Sequence, residues 1–146
     1  MNSSQKAAGP LEDVKIPVKL KLSALWAATL FLYAYGDIFG FFRPDVIESV
    51  KAGNIAGFQI NQVFLLAVSI YILIPSAMVF LSLVLKPEVN RWANLIISVA
   101  YFATIVLSAI GETWAYYIFL SLAEAVLTLL IAWHAWKWPQ QQVTIP

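Results

Sequence analysis

Apolar residues in this chain come in long runs separated by short polar or proline-containing breaks. Four runs stand out: Leu22–Phe42, Ile60–Leu85, Trp92–Ile110 and Trp114–Trp138. A helix needs about 20 predominantly apolar residues to cross the hydrocarbon core of a bilayer, and each run is of that order. The last two would merge into one helix far too long for a membrane, but Gly111-Glu112-Thr113 divides them. Glycine followed by polar residues stops one helix and starts another. Lys86-Pro87-Glu88 closes the second run, because proline just past a helix end prevents its continuation. The pattern predicts an all-α, polytopic membrane protein, a bundle of four transmembrane helices.

The one sizeable connection runs from Pro44 to Gln59. Within it Asp45–Lys51 has apolar residues at Val46, Ile47 and Val50, a spacing that fits one short amphipathic helix. Gly53 ends that helix and Gly57 gives a further turn. Such a helix lies in the interface plane or covers the mouth of the bundle; a plain interfacial connector is the commoner case, since short loops usually only connect. Residues 1–20 form a polar segment with Pro10 and Pro17, residues 21–138 a single membrane domain, and residues 139–146 a short tail. The first run exceeds the roughly 7–15 residues of a signal-peptide core. Phe41-Phe42-Arg43-Pro44 follows it instead of a small-residue cleavage site. It is expected to be a retained helix.

Basic residues set the orientation. Lys6, Lys15, Lys19, Lys21, Lys86, Arg91 and Lys137 fall on one side of the predicted spans, against Arg43 and Lys51 on the other. Lysine and arginine concentrate in cytoplasmic segments, so both termini are expected inside and the short helix outside, in a bacterial cytoplasmic (inner) membrane. Trp26, Trp92, Trp133, Trp136 and Trp138 would mark the inner interface, and Trp114, Tyr116 and Tyr117 the outer one.

Composition agrees and removes several chemistries. The chain is 61% hydrophobic and 12% charged over 146 residues, about half the charge of soluble domains. A net charge of +1 leaves no basic stripe for nucleic acid. With no cysteine and one histidine, His134, neither thiol chemistry nor a histidine-rich metal site is supplied. No Ser-His-Asp arrangement can be placed, so an enzyme acting on quinone or lipid ranks last among the readings, and no cofactor is expected.

Polar groups inside a membrane bundle face protein, not lipid. Indexed at 100° per residue, Thr113, Tyr117, Ser121, Glu124 and Thr128 share a face of the fourth span. Asn94, Ser98, Tyr101 and Ser108 align on the third, Gln62, Ser69 and Ser76 on the second, and Ser23, Trp26, Tyr33 and Asp37 on the first. Gly36 and Gly40 would permit close approach of helices. Glu124 stands ten residues from Trp114, about 15 Å into the membrane at 1.5 Å per residue. An ionised carboxylate there costs at least ~2.5–3.5 kcal/mol, so Glu124 is expected to be protonated, hydrated in a cavity or paired. It is either a proton-coupling site or packing glue hydrogen-bonded across the bundle. Asp37 and Glu112, each following a glycine at the outer end of a span, would form an acidic mouth for cations or simply solvated interfacial carboxylates. Pro75 marks a kink or hinge in the second span.

The run Tyr33-Ala34-Tyr35-Gly36-Asp37-Ile38-Phe39-Gly40-Phe41-Phe42-Arg43-Pro44 resembles the opening signature of a family of small bacterial membrane proteins of unknown function. So do Leu81–Pro87, Asn90–Asn94 and Trp133–Trp138. The resemblance covers Leu20 to Pro139 and implies no assigned activity. In shape the chain is similar to the broader four-helix DoxX-like group, some members of which are tied to quinone-linked redox chemistry, but no redox motif of that group maps onto its residues.

The leading expectation is a small channel or proton-coupled transporter in a lipid bilayer, working as a homo-oligomer and passing protons or a small cation. Glu124 would be its titrating site, Tyr117, Ser121, Thr128, Tyr101 and Ser98 its lining, and Asp37 and Glu112 its mouth. The alternative is a non-catalytic assembly subunit that contacts partners through Arg91, Trp92 and Asn94 and through the outer connector.

Overall fold

The computed structural model describes residues 14–139. Helix α1 spans Val18–Gly40 and α2 spans Pro44–Lys51. Two short strands follow, β1 at Asn54–Ile55 and β2 at Phe58–Gln59. Helices α3, α4 and α5 cover Gln62–Val84, Pro87–Ala109 and Ala115–Trp136. The four long helices are each apolar and long enough to cross a membrane, which fits a small multi-pass membrane protein. Of the expected polar segment at 1–20 and tail at 139–146, residues 1–13 and 140–146 lie outside the described residues.

The helix boundaries follow local chemistry more closely than the hydrophobic runs do. Helix α1 begins at Val18, not Leu22, although this brings Lys19 and Lys21 into its first turns. The cost is offset across the bundle: Lys19 Nζ donates to the carbonyls of Leu83 at 3.2 Å and Leu85 at 2.7 Å, groups left open where α3 ends. Helix α4 starts at Pro87, not Trp92. Pro87 therefore opens this helix as well as following α3, since proline needs no backbone donor in a first turn. Asn61 caps α3, its side-chain oxygen accepting from the Phe64 amide at 2.9 Å.

The connector contains the expected short helix and a hairpin that hydrophobic patterning does not reveal. Strand β1 pairs antiparallel with β2, Asn54 opposite Gln59 and Ile55 opposite Phe58. Ala56 and Gly57 between them have φ of +48° and +81°, as a two-residue hairpin loop of the I′ kind requires. At the other tight turn Gly111 has φ +82°, a value that lets α5 fold straight back along α4.

Helix α1 packs on α3 and on α5, and α5 packs on α4, whereas α3 and α4 barely approach each other along their backbones. The bundle therefore reads α3-α1-α5-α4 around its circumference, with its loosest seam between the two ends of that series. Its solid core lies in the half that holds the start of α1 and the end of α5. There Leu22, Trp26, Met78 and Ile131 form an apolar centre, and Ser82, Asn90, Asn94, Ser98 and Thr128 are fully buried beside it. Trp26 thus belongs to the core and is not an interfacial anchor. Trp92, Trp133 and Trp136 do stay exposed on the bundle surface.

The buried polar groups form a continuous network. Trp26 Nε1 donates to Asn94 Oδ1 at 2.7 Å, and Ser82 Oγ donates to the same oxygen at 3.2 Å. Asn94 Nδ2 donates to Asn90 Oδ1 at 2.6 Å, while Asn90 Nδ2 donates to the Ser82 carbonyl at 2.6 Å. Three helices are tied together by two asparagines, and a buried polar cluster holds one packing arrangement well when each member has a partner. Asn94 is consequently internal and cannot serve as a partner surface.

The second span departs from its expected stripe. Gln62, Ser69 and Ser76 are exposed, and the buried face of α3 carries Pro75, Met78 and Ser82. Ser69 and Ser76 donate to their own helix, to the carbonyls of Leu65 and Ile72 at 2.8 Å each. A hydroxyl satisfied in that way needs no neighbouring helix.

Candidate functional site

The other half of the bundle, next to α2 and the Gly111 turn, encloses a cavity of about 360 Å³. All four long helices line it: Tyr33, Gly36 and Asp37 from α1, Val68, Tyr71 and Ile72 from α3, Thr104, Ile105 and Ser108 from α4, and Tyr117, Leu120, Ser121 and Glu124 from α5. A groove of about 500 Å³ between α1 and α3 adjoins it and shares Tyr33, Asp37 and Ile72. The groove is otherwise lined by Ala27, Leu30, Phe31, Ala34, Ser76 and Val79, so it opens sideways through an apolar wall.

Glu124 is 8% exposed, and its carboxyl has no hydrogen-bond partner among the described residues. The helix spacing explains its position. Tyr117, Ser121 and Glu124 recur at three- and four-residue intervals and fall on one face, which turns inward because Leu122, Val126 and Leu129 on the opposite side are exposed. Asp37 on α1 faces the same cavity. These two carboxyls are the acidic or basic side chains in its lining.

Tyrosines make up much of the wall. Tyr71 stacks on Tyr101 with ring centroids 4.6 Å apart, and Tyr33 lies 6.3 Å from Tyr71 with the planes within 18°. The Tyr71 hydroxyl bonds Thr104 Oγ1 at 2.7 Å and lies 3.5 Å from the Tyr33 hydroxyl. Proline explains the placement of Tyr101. Pro75 lacks the N–H that would bond the Tyr71 carbonyl, four residues earlier, and the Tyr101 hydroxyl donates to that carbonyl instead. The freed group is therefore satisfied from α4, and α3 continues through Pro75 as one helix.

Several expected site residues lie elsewhere. Tyr101 sits behind Tyr71. Ser98 is buried and donates to the Leu95 carbonyl at 3.2 Å, and Thr128 donates to the carbonyls of Glu124 and Ala125 at 2.9 and 3.0 Å. Of the glycine pair, Gly36 faces α5, with Leu120 3.8 Å from the place a Cβ would occupy, whereas Gly40 faces open space. Arg91 lies between the rings of Trp92 and Trp136, 5.8 and 5.7 Å from their centroids.

Glu112 is taken up by a clamp. Arg43 donates to it at 2.9 Å and to Asp45 at 2.7 Å, while the amides of Thr113 and Trp114 donate to its other oxygen at 2.8 and 3.0 Å. Burial opposes ionisation of Glu112, but the Trp114 amide, the Arg43 guanidinium and the Thr113 amide outweigh it and hold the carboxyl below its ordinary range. The hydrogen bond from Arg43 likewise lowers Asp45. Glu112 is therefore committed to the Arg43 clamp, and Asp37 and Glu124 are the carboxyls that face the cavity.

A family model described as a family of unknown function, DUF6326, matches residues 15–145. The chain belongs to that family. No curated protein and no solved structure matches it. The site of this DUF6326 chain thus stands on its own geometry. Of the residues expected from the sequence, the cavity brings together Glu124, Asp37, Tyr117 and Ser121, and its lining adds Tyr71 and Thr104, which were not among them. The signal for Tyr71 was present: it stands four residues before Pro75, where a helix must leave a carbonyl open. Among the described residues no three histidine, aspartate or glutamate side chains gather where they could share a metal ion.

Proposed function

We propose that the chain is a proton-coupled membrane transporter caught open on one side, with Glu124 as its titrating site. The observation that carries this reading is a nearly buried carboxyl without a hydrogen-bond partner, at the inner end of a cavity that stops halfway through the bundle. Ionisable groups at such depth are costly and are retained for charge movement. Beyond Glu124 the path is filled by Trp26, Met78, Asn94 and Ile131, each at most 2% exposed. That closure favours a carrier, which exposes its site to one side at a time, over an open channel. The distribution of basic residues supports an outward-facing opening. A homo-oligomer would cover part of the apolar surface of so small a bundle.

The test is proton-driven flux in proteoliposomes, comparing wild type with Glu124→Gln at matched reconstitution. Wild type is expected to dissipate or use a pH gradient and the variant to lose that activity while keeping its melting temperature. Equal flux in both removes the role assigned to Glu124. The assembly-subunit reading draws on one feature, Arg91 held between Trp92 and Trp136 at the surface. Co-purification of one stoichiometric partner, lost in Arg91→Ala, would favour it instead.

A further inference from the structure

We propose that the cavity takes a small organic cation, an amine or quaternary ammonium bearing an apolar arm. Its head lies between Asp37, Glu124 and the tyrosine faces, and its arm lies along the groove between α1 and α3. The proposal rests on the transporter reading in that it names the ligand of the same site.

Sign comes first. Every charged-type side chain in the lining is a carboxyl, and no lysine or arginine reaches it, so an anion would find no counter-charge. Size and chemistry then separate an organic from an inorganic cation. A hard metal ion needs six or more oxygen ligands packed closely around it. This cavity offers two carboxyls in about 360 Å³, a volume suited to a small molecule, with Val68, Ile72 and Leu120 in its wall. Tyr33, Tyr71 and Tyr117 add aromatic surface and hydroxyl oxygens to the lining, and aromatic rings attract a desolvated cation through their quadrupole.

The Glu124 carboxyl is the independent feature that points to a ligand. The residue is 8% exposed and lines the cavity, and no side chain or backbone group among the described residues bonds its carboxyl, which is left to whatever fills the cavity. The groove supplies the second half of the ligand. It meets the cavity at Tyr33, Asp37 and Ile72 and is otherwise almost wholly apolar, so a hydrocarbon arm fits where a fully hydrated ion gains nothing. Proton and cation would compete for the same carboxyls. The titratable groups facing that position are Asp37 and Tyr33 from α1, Tyr71 from α3, with Tyr101 of α4 behind it, and Tyr117 and Glu124 from α5. The two carboxyls couple ligand release to proton uptake.

The experiment is calorimetric titration of the full chain in lipid nanodiscs with hexyltrimethylammonium, hexanol and hexyl sulfate, empty nanodiscs being subtracted. The ammonium is expected to saturate one site and to bind roughly tenfold or more tightly than either other compound. Its affinity should fall as the pH is lowered and the carboxyls take up protons. Glu124→Gln should weaken it by roughly tenfold. Equal binding of all three compounds, or binding of none, overturns the proposal, and the wild-type comparison settles this even if the variant does not fold. Proton-coupled flux without ammonium binding overturns the ligand and leaves the carrier standing. Ammonium binding without flux overturns the carrier and leaves the ligand.

Discussion

Arg43 and Glu112 show how one side chain can decide what a site is. The two groups are 11% and 15% exposed and 2.9 Å apart, so the pair is shielded enough to be worth more than a surface ion pair. Because the folded Glu112 carboxyl lies below its ordinary range, its contribution to stability is fully present above the unfolded glutamate value of about 4.3 and is lost as the pH falls through the folded value. Thermal melting in detergent should therefore drop between about pH 5 and pH 3 in wild type. In Glu112→Gln the drop should be smaller, with Asp45 supplying what remains. Replacing Arg43 by Gln should cost roughly 1.5–3 kcal/mol at neutral pH, by the loss of hydrogen bonds between charged groups. Glu124 was legible in the sequence because a glutamate in the middle of an apolar run admits few explanations. The role of Glu112 was not, because its partner is far away in the chain and lies in a connector whose path hydrophobic spacing cannot predict.

At the scale of elements, α3 carries the instructive departure. Its serines suggested the inward face, but a hydroxyl can bond the carbonyl four residues back and leave its helix free to present any face. Pro75 was the better guide. The bond from Tyr101 to the Tyr71 carbonyl exists because proline vacates that acceptor, so the two residues should be coupled. Tyr101→Phe is expected to destabilise wild type by about 1 kcal/mol and the Pro75→Ala background by clearly less, as measured by a double-mutant cycle of melting free energies. Additive effects would mean that the hydroxyl bond does not answer the proline. The asparagine pair makes the same kind of link between α1, α3 and α4. Asn94→Ala leaves the Trp26 N–H buried without an acceptor, and should cost roughly 1–3 kcal/mol in the same assay.

For the whole molecule, the division into an open half and a packed half is directly testable, since the chain contains no cysteine and single cysteines can be introduced without background. Ser121→Cys and Ser108→Cys, both lining the cavity, should react with a membrane-impermeant maleimide added from the connector side. Ser82→Cys and Ser98→Cys, both fully buried, should stay unreactive from either side until the protein is denatured. The number of spans and their approximate ends were legible because bilayer thickness fixes helix length. The circular order of the helices was not, because it depends on which side chains interlock, and a hydropathy profile carries no azimuth.

The thin seam between α3 and α4 has a mechanical meaning. The two helices are joined at one end by the short turn through Leu85 and Lys86 and held there by Ser82, Asn90 and Asn94, while their far ends flank the cavity. Helix α3 has 23 residues, which makes it a lever about 34 Å long at 1.5 Å per residue. A rotation of about 5° at the turn would swing its far end by about 3 Å, the width of a water molecule, and would have to stretch the bonds that join Tyr71 to Tyr101 and Thr104.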